Sequence, residues 1–231
     1  MLKDKRSPIT TRNESSLHRS LKFRYSEIGA TETPVGDYVC DGLSEDGEYI
    51  EVQTGSFGPL REKVKVLAKS GKVRVVHPII SQKHIELYDS GGGLLHKRKS
   101  PRKGSAWDVF KALIYAPELP LSKNLTIELV VIDVIEKRID DGSGSWRRRG
   151  VRITDRQLDA WHSSLVLRKP KDYYRFIPVK KKEAFSVRDL AEKAGIDVGL
   201  ARKTLYVLNK MGLVERIGKR GRALLYQCGK F

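Results

Sequence analysis

The sequence predicts an α/β (α+β) fold: a mixed β-sheet flanked by helices, then a basic middle region, then a small C-terminal unit of two helices and a hairpin. Three observations predict it. Between positions 13 and 88 the apolar pattern changes period in the order helix, strand, strand, helix, strand, which demands a crossover between the second and third strands. A strongly β-branched run follows at 125–135. Residues 185–212 then hold two helical stripes, each stopped by a glycine.

The first helix is expected from Asn13, a capping residue, to about residue 25. Glu14, Leu17 and Leu21 share one face at helical spacing, so a carboxylate sits on the core-facing stripe or, at the first turn, against the helix dipole. Residues 35–43 and 48–54 flank Ser44-Glu45-Asp46-Gly47, whose Asp-Gly chemistry predicts a β-hairpin. Period two places Glu51 and Gln53 on one face of the second strand, with Asp41 able to sit opposite them. Two facing carboxylates repel unless a cation lies between them. Gly58-Pro59 starts a helix at 60–70, and strands follow at 73–80 and 84–88.

In the middle region, His96 to Lys103 is a basic, proline-broken stretch without a packing pattern, readable as a linker. Ser105 caps a helix to about residue 116 with Val109, Leu113 and Ile114 inward. The strand at 125–135 leads to a turn at 140–145 and to Trp146-Arg147-Arg148-Arg149 at a hairpin tip. Two placements fit this tip: a phosphate clamp with a stacking ring, or a solvated arginine run with Trp146 half buried on the sheet. A returning strand is expected at 151–154, then a helix from Asp155 with Leu158, Trp161 and Leu165 as its stripe.

At the C-terminus, Ser186 caps a helix closed by Gly195, and a second helix runs from about residue 200 to 210. A hairpin turns around Lys219-Arg220-Gly221. Helix, turn, helix and basic hairpin resemble a winged helix-turn-helix domain. On that resemblance Arg202, Lys203 and Tyr206 on the second helix, with Asn209, would meet a major groove. Lys219, Arg220 and Arg222 on the wing would touch phosphate.

Charge bears on function. The 231 residues carry 45 Lys and Arg against 28 Asp and Glu, a net +17. The expected partner is a polyanion, nucleic acid before an anionic membrane surface; a merely soluble, lysine-rich surface is the alternative. Residues 91–179 and 180–231 each carry a net +8, whereas residues 1–90 carry only +1. From Arg24 to Arg61 there is no Lys or Arg but eight carboxylates, of which Glu45, Asp46 and Glu48 read as a solvated turn. With 39% hydrophobic residues, a collagenous or wholly disordered chain is excluded. Cys40 and Cys228 alone make neither a disulfide framework nor a thiolate zinc site. No apolar run approaches the roughly 18–20 residues of a membrane span, so a cytoplasmic, non-membrane protein is expected. No glycine fingerprint for a nucleotide cofactor occurs.

Over residues 10–90, Glu14 on the first helix, Asp41 on a strand and Glu51-Val52-Gln53 on the next resemble the core of the PD-(D/E)xK nuclease superfamily. The resemblance implies a restriction-endonuclease-like domain in which Asp41, Glu51 and the Val52 carbonyl hold Mg2+ or Mn2+ and Glu14 assists. The superfamily lysine is replaced by Gln53, which can orient a water but carries no charge. The stretch also resembles a family of uncharacterised bacterial proteins, through Leu17-His18, Glu51-x-Gln53-Thr54 and Val73-Arg74-x-Val76-x-Pro78. The expected organisation is thus a nuclease-like domain at 10–90, a basic region at 91–179 and a winged helix at 180–231. The expected function is metal-dependent cleavage of DNA, with a homodimer if both strands are cut. The alternative is a non-enzymatic DNA-binding regulator on a degenerate nuclease scaffold.

Overall fold

The computed structural model describes residues 14–180 and 182–229. In chain order the elements are α1 (Ser16–Tyr25), β1 (Thr31–Val35), β2 (Tyr38–Leu43), β3 (Tyr49–Val52), α2 (Leu60–Ser70), β4 (Val73–Asp89), β5 (Leu94–Lys99), α3 (Val109–Leu113), β6 (Leu125–Asp140), β7 (Val151–Leu167), α4 (Val187–Ala194), α5 (Val198–Lys210), β8 (Val214–Arg220) and β9 (Ala223–Cys228). Seven strands form one mixed sheet in the order β1-β2-β3-β4-β6-β7, with β5 paired to the far half of β4. Strand β4 runs parallel to both β3 and β6; the other pairs are antiparallel. The β3-α2-β4 segment is the expected crossover.

Alternation along the strands feeds two cores. On one face Leu17 and Leu21 of α1 pack against Ile50, Val52, Val76, Val130, Ile132 and Val134. On the other, Leu60, Val64 and Leu67 of α2 and Phe110 and Leu113 of α3 pack against Val73, Val75, Ile79, Ile127 and Leu129. Each fully buried Leu contributes about 1.5–3 kcal/mol. The same core continues into the C-terminal unit through Phe176, Phe185, Leu190, Leu205 and Leu208.

Several expectations are corrected. Ser15, not Asn13, caps α1, its Oγ accepting from the His18 N–H at 3.3 Å; Asn13 lies outside the described residues. Glu14 therefore precedes the helix rather than riding its apolar stripe. A further strand, β1, forms a hairpin with β2 around Gly36, whose φ of +58° suits glycine. The strands expected at 73–80 and 84–88 are one strand, β4, with a bulge at Ser81 where the register against β6 shifts. The His96–Lys103 stretch begins inside strand β5, which runs to Lys99. The expected boundary at residue 90 lies between β4 and β5, and both sides supply strands to a single sheet.

The helix expected from Asp155 is strand β7. Leu158 and Trp161 are three residues apart, yet they pair with Val134 and Ile132, which are two apart, and they pack on the α1 face. Leu165 pairs with Leu129 and packs on the opposite face. Extra residues at Asp159 and His162 cause this, because a bulge converts the strand period of two into a local spacing of three.

The C-terminal unit is two helices and an antiparallel hairpin. Ser186 and Asp189 form a reciprocal capping box, and Gly195 ends α4 at φ +63°. Helix α5 begins earlier than expected because the Asp197 carboxylate accepts from the Leu200 N–H at 2.9 Å. Among the described residues no helix is long and apolar enough to cross a membrane.

Candidate functional site

The carboxylates singled out in the sequence gather where α1 and α2 approach β2 and β3. Glu51 sits mid-strand between the buried Ile50 and Val52 and is itself only 3% exposed. Burial, together with the nearby Asp41 carboxylate, pushes its pKa up to about 7. Asp41, in the second half of β2, is held by the Val52 N–H, which donates to Oδ2 at 2.8 Å. Burial works to raise Asp41, but hydrogen bonds from His18 and the Val52 N–H outweigh it and keep the carboxyl below its usual range.

The two carboxylates are engaged by helices on opposite faces of the sheet. His18 Nε2 of α1 stands 3.4 Å from Asp41 Oδ2 and 3.5 Å from Glu14 Oε1. The buried Lys22 Nζ lies 3.3 Å from Glu14 Oε1 and 3.5 Å from Glu32 Oε1. Burial disfavours its charge, yet Asp41, Glu14 and Glu32 together raise its pKa. Across the sheet, Lys63 Nζ of α2 is 2.5 Å from Glu51 Oε1. Glu51 Oε1 and Glu14 Oε1 are both buried, each facing a lysine ammonium.

Gln53 departs from the expected placement. Strand β3 stops at Val52. The Gln53 N–H still donates to Val76 at 2.9 Å, but its carbonyl meets His77 Nδ1 at 2.5 Å and its amide donates to the Ser56 carbonyl at 2.5 Å. Its amide is spent on the loop backbone just past the strand. Lys63 and Lys22 are the residues that sequence reasoning missed. The only signal for Lys63 was its place one residue before the apolar Val64 of α2. Glu48 is also not a solvated turn residue: it accepts from Arg74 Nε at 2.7 Å.

The donors present, Asp41, Glu51, Glu14 and backbone carbonyl oxygen, are the hard oxygen ligands that Mg2+ or Mn2+ prefers. Two of the carboxylate oxygens, Glu51 Oε1 and Glu14 Oε1, are buried and balanced by lysine ammoniums. No group of three or more His, Cys, Asp or Glu side chains converges as a metal cage among the described residues. The donor set suits a cation bound through one or two carboxylates with water completing its shell.

The basic residues lie elsewhere. Trp146 is 83% exposed at the β6–β7 tip, so it is not half buried on the sheet. Arg147, Arg148 and Arg149 are exposed beside it, the Arg147 guanidinium 5.5 Å from the indole centroid. At the C-terminus, Arg202, Arg220 and Arg222 come together with Arg188 along a groove of about 650 Å³. Arg220 is tethered to Asp189 at 3.3 Å. Tyr206 and Lys219 are exposed, Lys203 is half-buried, and none of the three lines that groove. Asn209 donates to the Val214 carbonyl at 2.9 Å and so fixes the start of β8.

Comparison with known proteins places residues 15–168 in the family described as Domain of unknown function (DUF8091). That range spans α1 through β7. The chain is also 32% identical over 220 residues to a protein of Treponema pallidum (strain Nichols) described as "Uncharacterized protein", covering 95% of this chain and 87% of the relative. No solved structure matches the chain.

Proposed function

We propose, for a chain that belongs to the DUF8091 family, a DNA-binding, metal-dependent phosphodiesterase of the PD-(D/E)xK nuclease class, acting as an endonuclease. On this reading the C-terminal unit is a winged helix that holds DNA. The observation that carries the reading is the Glu51–Lys63 pair. Gln53 cannot supply the positive charge that the E-x-K pattern demands, and Lys63 brings an ammonium to the same carboxylate from the following helix. The parallel β3-α2-β4 crossover, with Asp41 bonded to the backbone beside Glu51, supports the same class.

Asp41, Glu51 and the Val52 carbonyl would hold Mg2+ or Mn2+. When bound, the ion polarises a phosphate and lowers the pKa of a water. The chain's own groups do the rest. Lys63 stabilises charge at the buried Glu51 and can donate to a phosphate oxygen. His18 and the Val52 N–H fix the rotamer of Asp41. Glu14 and Glu32 keep Lys22 charged under the site. The exposed arginines at the β6–β7 tip and along the α5–hairpin groove supply phosphate contacts.

The test is cleavage of supercoiled, linear, branched and single-stranded DNA, and of RNA, with Mg2+ or Mn2+. The expected result is metal-dependent cleavage, reduced about 100-fold or more by Asp41→Ala and by Lys63→Gln. No cleavage of any form, or full cleavage by Asp41→Ala, would falsify the proposal. The second reading, a DNA-binding regulator without chemistry, is favoured by one observation: the Gln53 amide is folded back onto Ser56. It predicts binding of DNA with no cleavage under any metal.

A further inference from the structure

A second feature adjoins the carboxylate site. Behind the loop that follows β3 lies a cleft of about 540 Å³, walled by Ser56, His77, Arg102, Lys103, Asp108 and Lys111 among others. It shares a wall with the Glu51-Val52-Gln53 segment, because His77 lines it and binds the Gln53 carbonyl. The basic stretch read from sequence as a linker forms the opposite rim, and it is clamped. The Ser100 N–H donates to Lys83 at 2.8 Å and the Gly104 N–H to Ile80 at 2.8 Å, on either side of the Ser81 bulge. The buried Gln82 amide donates to the Ser100 carbonyl at 3.0 Å. Gly104 is required there, since a Cβ would come within 2.5 Å of the Ile80 oxygen.

This clamp holds two exposed cations over the cleft, Arg102 and Lys103, neither of which has a salt bridge among the described residues. The only carboxylate in the wall, Asp108, is paired with Lys111 at 2.6 Å. Holding a loop by buried polar groups so that its charges stay unpaired leaves a preorganised anion site. We infer that this cleft takes the phosphate groups of a nucleic-acid strand running away from the Asp41–Glu51 site. The inference rests on the nuclease reading for its substrate, and deepens it by naming the track of one strand.

The experiment is binding of a short fluorescein-labelled single-stranded oligonucleotide to the full-length protein in EDTA, over a range of salt. Both side chains are exposed, so the double variant Arg102→Gln/Lys103→Gln is expected to melt like the parent. Its affinity should fall roughly tenfold and its log–log salt slope should flatten by about 1.4, the value for two single-strand phosphate contacts. Unchanged affinity and slope, or no binding by the parent, overturns the inference. So does a nucleoside monophosphate that competes as well as the strand, which would assign the cleft to a small anion. Cleavage enters none of these readouts. A parent that binds through Arg102 and Lys103 but never cuts upholds the cleft and sinks the nuclease. A parent that cuts while the double variant binds normally does the reverse.

Discussion

Glu51 shows how far one residue can cost the fold. A carboxyl whose folded pKa lies near 7 rather than 4.5 contributes stability only while protonated, so its contribution is lost as pH rises through 7. In metal-free buffer Glu51→Gln should therefore raise Tm by about 7–14 °C at pH 8.5 and change it little at about pH 4. A lower Tm at pH 8.5 would mean that the Lys63 pair more than offsets the burial. Glu136 behaves oppositely. It is fully buried, and burial alone would raise its pKa, but Arg138, Arg156 and Lys83 bring it down to about 2. Its contribution is complete above pH 4.5 and fades as pH falls toward 2, so Glu136→Gln should cost about 2 kcal/mol at pH 7 and progressively less in acid. Denaturant melts of the variant across that range check the sign. Strand alternation singled out Asp41 and Glu51, but it put them face to face, whereas α1 engages Asp41 and α2 engages Glu51. Lys63 was not legible, because a lysine beside an apolar helical stripe has the same pattern as one in solvent.

At the scale of elements, the local signals that chemistry dictates were readable. The Asp-Gly turn before β3, the Ser186 capping box and the glycine stops at Gly195 and Gly212 appear where the sequence places them. Long-range pairing was not readable. Strand β7 looked helical because its bulges at Asp159 and His162 shift the apolar spacing, and only the register against β6 reveals this. Deleting His162 should therefore remove the bulge and leave Trp161 and Leu158 paired with Ile132 and Val134 on the α1 face, at a cost of about 1 kcal/mol in thermal melts, and His162→Ser should be nearly silent. The C-terminal unit shares its core with the sheet through Phe176, Phe185 and Leu190, so truncation would expose apolar surface rather than isolate a function. Lys219→Gln with Arg222→Gln, both exposed, is the cleaner variant. It should lower the duplex salt slope by about 1.8 if both residues touch phosphate.

Across the whole molecule, the proposed polyanionic partner draws on a net charge of +17. The fold divides that charge. The basic residues occupy the β6–β7 tip, the clamped 100–104 loop and the α5–hairpin groove, while the carboxylates sit between α1, β2, β3 and α2. Composition changes at residue 90, but a parallel β4–β6 pair spanning Val73–Asp89 and Leu125–Asp140 welds both sides of that point into one sheet. Composition cannot report a pairing between residues as distant in the chain as Val73 and Leu125, where tertiary packing decides. The central claim is that Asp41 and Glu51 form a divalent-cation site with Lys63 as its charged partner. The most direct measurement is a crystal grown in Mn2+, with data collected at the manganese edge. The account predicts an anomalous peak against Asp41 and Glu51, absent from Asp41→Ala crystals. A protein that crystallises with the Glu51–Lys63 pair intact and no peak at that place would contradict it.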